Sequence, residues 1–298
     1  MICCMFPLIG SIEGNMQQNM MTLRAIPGEM NPSTVAEIDA RLGGIGNGHS
    51  IAIPLAVESG SRAWGFPSPD SDYDCRFVFV RSPDQYLSPW QRPDVIETPI
   101  EGEFDVNGWE LGKALKLMLK GNAVIIEWLV SPIIYCGDAG FRQEFLDLAR
   151  SYASRELIAR HYLHLGERQR MTYFGDGNSV PQKKIFYALR PAATLRWLRL
   201  NPDQALPPMH FPTLMEESAP SPDVRSVVSD LLARKAETRE LGSSPLPVQI
   251  ADFIDTEFAQ ARLSFEKGRV QMPAVAQREA EAFFRRTVLK FAPADLPD

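Results

Sequence analysis

Glu58-Ser59-Gly60-Ser61-Arg62-Ala63-Trp64-Gly65 and, a few residues on, Ser71-Asp72-Tyr73-Asp74-Cys75-Arg76-Phe77-Val78-Phe79-Val80 decide the fold of this chain. The apolar run Ile51-Ala52-Ile53-Pro54-Leu55-Ala56-Val57 precedes them, so the order is strand, small-residue turn, polar loop, strand. Side chains alternate across a strand, which puts Asp72 and Asp74 on one face and Tyr73 and Cys75 on the other. Two carboxylates aimed at one point raise each other's pKa unless a cation sits between them. Mg2+ meets that need: it is a hard ion, held by one or two carboxylates together with phosphate oxygens and water. Gly60-Ser61 permits close backbone approach and offers N–H and hydroxyl donors, the chemistry that cradles a phosphate beside such an ion.

Further along, Ile100-Glu101-Gly102-Glu103-Phe104-Asp105-Val106 alternates, with Glu101, Glu103 and Asp105 on one face, and is the candidate third strand. A two-metal site for phosphoryl transfer needs more than two carboxylates, and a neighbouring strand is the usual source of the extra one. Alternation alone leaves Glu103 and Asp105 both open.

The pairing of Gly60-Ser61 with Asp72-x-Asp74, with ten residues between Ser61 and Asp72, resembles the signature of the DNA polymerase beta-like nucleotidyltransferase superfamily. The fuller form, Gly60-Ser61-Arg62-Ala63-x-Gly65 then Ser71-Asp72-x-Asp74-x-Arg76, resembles the branch that includes RNA-repair-associated members. In that branch a third-acid strand leads into a helix, and Asp105-Val106-Asn107 followed by Trp109-Glu110-Leu111-Gly112-Lys113 is similar to it; the resemblance therefore favours Asp105 over Glu103. Lys120-Gly121-Asn122 through Ser131-Pro132 is also similar to the branch, in which a Gly-Asn turn precedes a helix ending at Ser-Pro. Its physics is plain: Asn122 caps, Val124, Ile125, Trp128 and Leu129 face the sheet, and Pro132 forbids continuation. Glu127 reads as structural.

The resemblance implies an α+β fold, a mixed β-sheet of the nucleotidyltransferase type with flanking helices, followed by a mostly helical C-terminal domain. It implies a catalytic role for Asp72, Asp74 and Asp105 as ligands of two divalent ions, Mg2+ or in its place Mn2+. Gly60 and Ser61 would grip the phosphates of a nucleoside triphosphate, and Arg62, Arg76, Lys183 and Arg190 would offset its charge. Lys183 and Arg190 are seven apart on a helix expected over about Gln182 to Leu200 and so share a face, with Pro191 disturbing the register. The chemistry implied is attack of an acceptor hydroxyl on the α phosphate with loss of pyrophosphate. An RNA end, a protein side chain and a small molecule are the candidate acceptors, and a non-catalytic nucleotide-binding protein is the rival of a different class. Against RNA stand the acidic balance and the lack of an aromatic-basic ladder along the sequence.

Composition bounds the rest. The 298 residues carry a formal net charge of -6 and 45% hydrophobic residues, enough for a sizeable core and too acidic to coat nucleic acid by charge alone. Cys3, Cys4, Cys75 and Cys136 lack metal-ligand spacing, and a reducing cytoplasm is the expected location. His161 and His164 lie three apart on a helix without a third ligand at matching spacing, so surface or packing roles are expected. No stretch approaches the ~20 apolar residues needed to span a bilayer, so no membrane partner is expected. Residues 1–10 are apolar but the first basic residue is Arg24, which fails the secretory pattern.

The expected organisation is a disordered leader over 1–32, a catalytic domain over 33–137 and a helical domain over 138–298. Met16, Met20, Met21 and Met30 are candidates for a later start. A helix over Pro32 to Leu42 is expected to stop at Gly43-Gly44-Ile45-Gly46-Asn47-Gly48. Later helices are expected from Asp223 to Glu240, Leu246 to Glu266 and Ala274 to Lys290.

Overall fold

The computed structural model describes residues 22–238, 242–265 and 270–294. The first half runs α1 (Pro32–His49), β1 (Ala52–Glu58), α2 (Gly60–Ala63), β2 (Tyr73–Val80), α3 (Pro83–Leu87), β3 (Val95–Glu97), β4 (Phe104–Glu110), α4 (Leu111–Leu119), α5 (Ala123–Val130) and β5 (Ile134–Gly137). The strands form a mixed five-stranded sheet in the order β3-β4-β2-β1-β5, in which β2 and β4 are parallel and the other pairs antiparallel. The second half is helical: α6 (Ala139–Tyr152), α7 (Arg155–Tyr173), α8 (Gln182–Leu200), α9 (Phe211–Ser218), α10 (Pro222–Glu237), α11 (Val248–Phe265) and α12 (Ala274–Phe291), with a small pair of β6 (Val180–Pro181) and β7 (Ser243–Ser244). This is the α+β architecture expected. Among the described residues, no helix is long and apolar enough to cross a membrane.

Alternation along the central strands sorts the sheet into two faces. Ala56, Tyr73, Cys75, Phe77, Phe79 and Val106 pack toward α1 with Val35, Ile38 and Leu42. Leu55, Val57, Val78 and Val80 pack toward the helices. Asp74 and Arg76, in phase with Val78 and Val80, therefore open onto the helical side.

On that helical side the packed residues of β1 and β2 join those of the helices from α4 to α12. The last helix returns to the first half: Phe284 of α12 stands edge-on to Tyr86 of α3 at 5.1 Å, centroid to centroid. Of the stretch 1–32, residues 1–21, with Cys3, Cys4, Met16, Met20 and Met21, lie outside the described residues. Residues 22–31 lie along β5, where Leu23 and Ala25 donate to the carbonyls of Gly137 and Ile134 and Arg24 pairs with Asp39 at 2.8 Å.

Three local expectations need correction. α1 runs through the glycine cluster to His49, because glycine costs only about 1 kcal/mol in a helix interior while Val35, Ile38 and Leu42 hold the helix down. It ends instead at Ser50, in the left-handed region at φ 50°, whose N–H closes on Asn47. The acidic strand starts at Phe104, since Gly102 (φ 63°) turns the chain back and Glu101 leaves to pair with Arg41 at 2.9 Å. It is the fourth strand in sequence, Val95–Glu97 being the third. Val124 is exposed, and Ile126 takes the buried place assigned to it.

Candidate active site

β1 delivers Glu58 to the sheet edge of the turn, and the chain then bends at Gly60 in the left-handed region, φ 58°. A Cβ at this position would lie 1.9 Å from Asp74 Oδ2, so only glycine lets the turn close against the carboxylate. Gly60→Ala is expected to displace Asp74 and to destabilise the fold by at least about 1–2 kcal/mol, the cost of an L side chain in the left-handed region, as read from denaturant midpoints. Ser61 Oγ donates to Ser71 Oγ at 2.9 Å, and Ser71 Oγ accepts from the Ser68 N–H at 2.8 Å, tying the turn to the loop that carries Asp72.

Asp72 and Asp74 both border one cavity of about 690 Å3 between the sheet and α5, α7 and α8. Asp105 is the register partner of Asp74 in the parallel β2–β4 pair. Arg76 spans the two, donating to Asp74 Oδ1 at 3.0 Å and Asp105 Oδ2 at 2.6 Å. Burial pushes the Asp74 carboxyl up; Arg76 opposes this, and Asp105 and Asp72 add to it. Glu103 precedes the strand, is exposed, and borders a different groove with Arg62 and Tyr73.

Among the described residues, no three His, Cys, Asp or Glu side chains make a ready metal cage as they stand. Arg76 fills the place between Asp74 and Asp105 that an ion shared by those two would take. The donor set at Asp72 and Asp74 is all oxygen, which fits Mg2+ or Mn2+, and Gly60 leaves room at Asp74 Oδ2 that any larger residue would fill.

The other predicted cations are placed as follows. Arg62 latches the acidic loop, donating to the carbonyls of Ser71 (2.6 Å) and Asp72 (3.1 Å) with its guanidinium 3.7 Å from the Tyr73 ring centroid. Lys183 borders the cavity and pairs with Asp70 at 3.0 Å. Arg190 is buried in the cavity wall, donating to Glu127 Oε1 at 2.6 Å and lying 4.2 Å above the Trp64 ring. Glu127 also accepts from the Tyr162 hydroxyl at 2.7 Å and the Trp64 indole at 3.3 Å, so it has the structural role expected of it and the partners the sequence could not name. Burial lowers the Arg190 pKa, but Glu127 and Tyr162 outweigh it and hold the guanidinium charged.

Two further residues enter only with the structure. Glu58 is fully buried; it accepts from the Asp74 N–H at 2.9 Å and from the Tyr135 hydroxyl. Burial pushes its pKa up to about 7, against the pull of those two hydrogen bonds. A folded pKa raised above the unfolded value stabilises the fold at low pH, and that contribution is lost as pH climbs from the ordinary carboxylate range through about 7. Glu58→Gln is expected to flatten this fall, by up to ~3 kcal/mol between pH 4 and 8, measured as the difference between the two proteins' denaturant midpoints. An unchanged difference across that range would contradict it. The sequence signal for Glu58 was available, as a charge closing an apolar strand.

Lys235 of α10 gave no such signal. It is buried at the cavity, donates to the Phe66 carbonyl at 2.6 Å, and has its pKa lowered to about 8 by burial and by nearby Lys183. His161, expected to be a surface or packing residue, also lines the cavity, and burial pushes its pKa down.

A mixed sheet carrying a Gly-Ser turn against paired acidic residues, under a helical layer, defines the DNA polymerase beta-like nucleotidyltransferase superfamily. A family model described as "RNA repair pathway DNA polymerase beta family", RlaP, matches residues 35–286, and the chain belongs to that family. It is similar to the uncharacterized protein YcgL of Bacillus subtilis (strain 168), with 39% identity over 209 residues that cover 70% of this chain and 79% of that protein.

Proposed function

We propose that the protein is a metal-dependent nucleotidyltransferase that moves a nucleoside monophosphate from a nucleoside triphosphate to an acceptor hydroxyl. The observation that carries this reading is the meeting, in one cavity, of Asp72 and Asp74 with the Gly60-Ser61 turn and the cations Lys183 and Lys235. Asp72 and Asp74 would hold Mg2+, or Mn2+ in its place, and Asp105 would become the third ligand of a two-ion site on displacement of Arg76 from between it and Asp74. Bound there, the ions supply charge stabilisation for the attacking and leaving oxygens.

The chain's own residues do the rest. Gly60 and Ser61 bind phosphate through N–H and hydroxyl donors, and Lys183 and Lys235 draw the polyphosphate to that end of the cavity. With a pKa of about 8, Lys235 is largely protonated at neutral pH. Arg76 bridges Asp74 and Asp105, and Glu58 fixes the Asp74 backbone. Arg62 sets the acidic loop, and Arg190 adds positive potential at the far wall. That wall also holds Arg190 Nη1, Trp128 Nε1 and Gln169 Oε1, buried polar atoms without a partner among the described residues, beside the rings of Trp64 and Tyr187. A planar heterocycle with donors and acceptors on its edge suits such a wall.

The family's description names RNA repair, which supports an RNA end as acceptor. The test is incubation with α-labelled nucleoside triphosphates, Mg2+, and RNA, protein and metabolite fractions. The reading predicts label in the RNA fraction with matching release of pyrophosphate. Label in protein or a small molecule would move the acceptor; metal-dependent nucleotide binding with no transfer anywhere would leave a binding protein.

A further inference from the structure

Tyr173, at the end of α7, and Tyr187 of α8 have ring centroids 6.4 Å apart. Lys184 Nζ lies over both rings, 4.9 Å from the first centroid and 4.7 Å from the second. Among the described residues this ammonium forms no ion pair with a carboxylate. Asp176, in the turn after α7, is engaged with Asn178 instead. Tyr187 is 36% exposed, lines the cavity that holds Asp72 and Asp74, and stands edge-on to Trp64 at 6.4 Å. The cluster therefore begins at the mouth of the cavity and leads outward from it.

Aromatic rings interleaved with an unpaired cation are what single-stranded nucleic acid needs. Bases stack on the rings whatever their identity, and the ammonium, on its long flexible stem, follows a phosphate. Duplexes keep their bases stacked on one another and gain nothing from such rings. The ladder missing from the sequence is assembled by the crossing of two helices, from residues eleven to fourteen positions apart.

We propose that Tyr187, Lys184 and Tyr173 form the path along which a single-stranded nucleic-acid end reaches the cavity and presents its terminal hydroxyl. The proposal rests on the transfer reading above for the fate of that hydroxyl, but the binding surface itself is tested independently.

The experiment uses the full chain and fluorescence anisotropy with a short labelled single-stranded RNA, a DNA of the same sequence and a blunt RNA duplex. Both single strands are expected to bind, the duplex at least about tenfold more weakly. Tyr173→Ala and Lys184→Ala each weaken strand binding by about tenfold, and Tyr173→Trp restores it. Lys184→Ala also lowers the slope of log affinity against log salt by about 0.7, whereas Tyr173→Ala leaves the slope unchanged. Neither residue lines the cavity, so Mg2+-dependent binding of a non-hydrolysable nucleotide is expected to stay the same in both variants. A protein that binds nucleotide but no strand, or variants that bind strand as tightly as the parent, would overturn the proposal. Strand binding in the expected pattern without nucleotide binding would keep the surface and remove the transfer reading.

Discussion

Asp74→Asn is expected to lower the transfer rate by at least about a thousandfold while leaving the fold in place. Asp74 is the carboxylate on which the site converges: its backbone N–H is held by Glu58, its Oδ1 by Arg76, and its Oδ2 faces the Gly60 turn. On the proposed reading, an ion held by Asp72 and Asp74 would stabilise transition-state charge by several kcal/mol, and each 1.36 kcal/mol is tenfold in rate. Stability moves the other way, if at all. Burial pushes the Asp74 carboxyl up, so the fold works against its charge, and the neutral amide relieves that cost while Arg76 keeps Asp105. Single-turnover rates and a thermal melt on the same sample check both halves. A variant that stays within tenfold of the parent would show that the chemistry lies elsewhere.

The largest effect on stability is expected at Glu127→Ala. Glu127 is the counter-ion of Arg190 in the cavity wall, where the guanidinium side chain is only 5% exposed. Removing one partner of a buried pair leaves an uncompensated charge, which costs about 3–5 kcal/mol. The Trp64 indole and the Tyr162 hydroxyl lose their acceptor as well. At about 2–4 °C per kcal/mol for a chain of this order of size, the melting point drops by roughly 10 °C. The double change Glu127→Leu with Arg190→Met removes both charges at similar volume and is expected to recover most of the loss. A single variant that melts within about 2 °C of the parent would contradict the pairing.

The site was legible where chemistry and strand period coincide. Gly60, Ser61, Asp72 and Asp74 lie within one strand-turn-strand unit, and the expected faces match those in the structure because period two leaves little freedom. Asp105 comes from a different strand; alternation could not separate it from Glu103, and only the parallel register with β2 sets it beside Asp74. Helix starts were readable from their caps, as at Asn122, whose side chain accepts from Val124. Helix ends were not: the glycines of α1 weaken a helix without stopping it, so tertiary anchoring decided the boundary. Lys235 and the pairing of Glu127 with Arg190 lay beyond reach for one reason. Each depends on segments far apart in sequence meeting at the cavity, the members of that ion pair being 63 positions apart.

The most direct test of the account is a crystal structure with Mg2+ and a non-hydrolysable nucleoside triphosphate bound. The account predicts metal density touching the carboxylates of Asp72 and Asp74, with the polyphosphate against the Gly60-Ser61 turn and the base toward Trp64. A nucleotide seated elsewhere, or metal density that touches neither carboxylate, would contradict it.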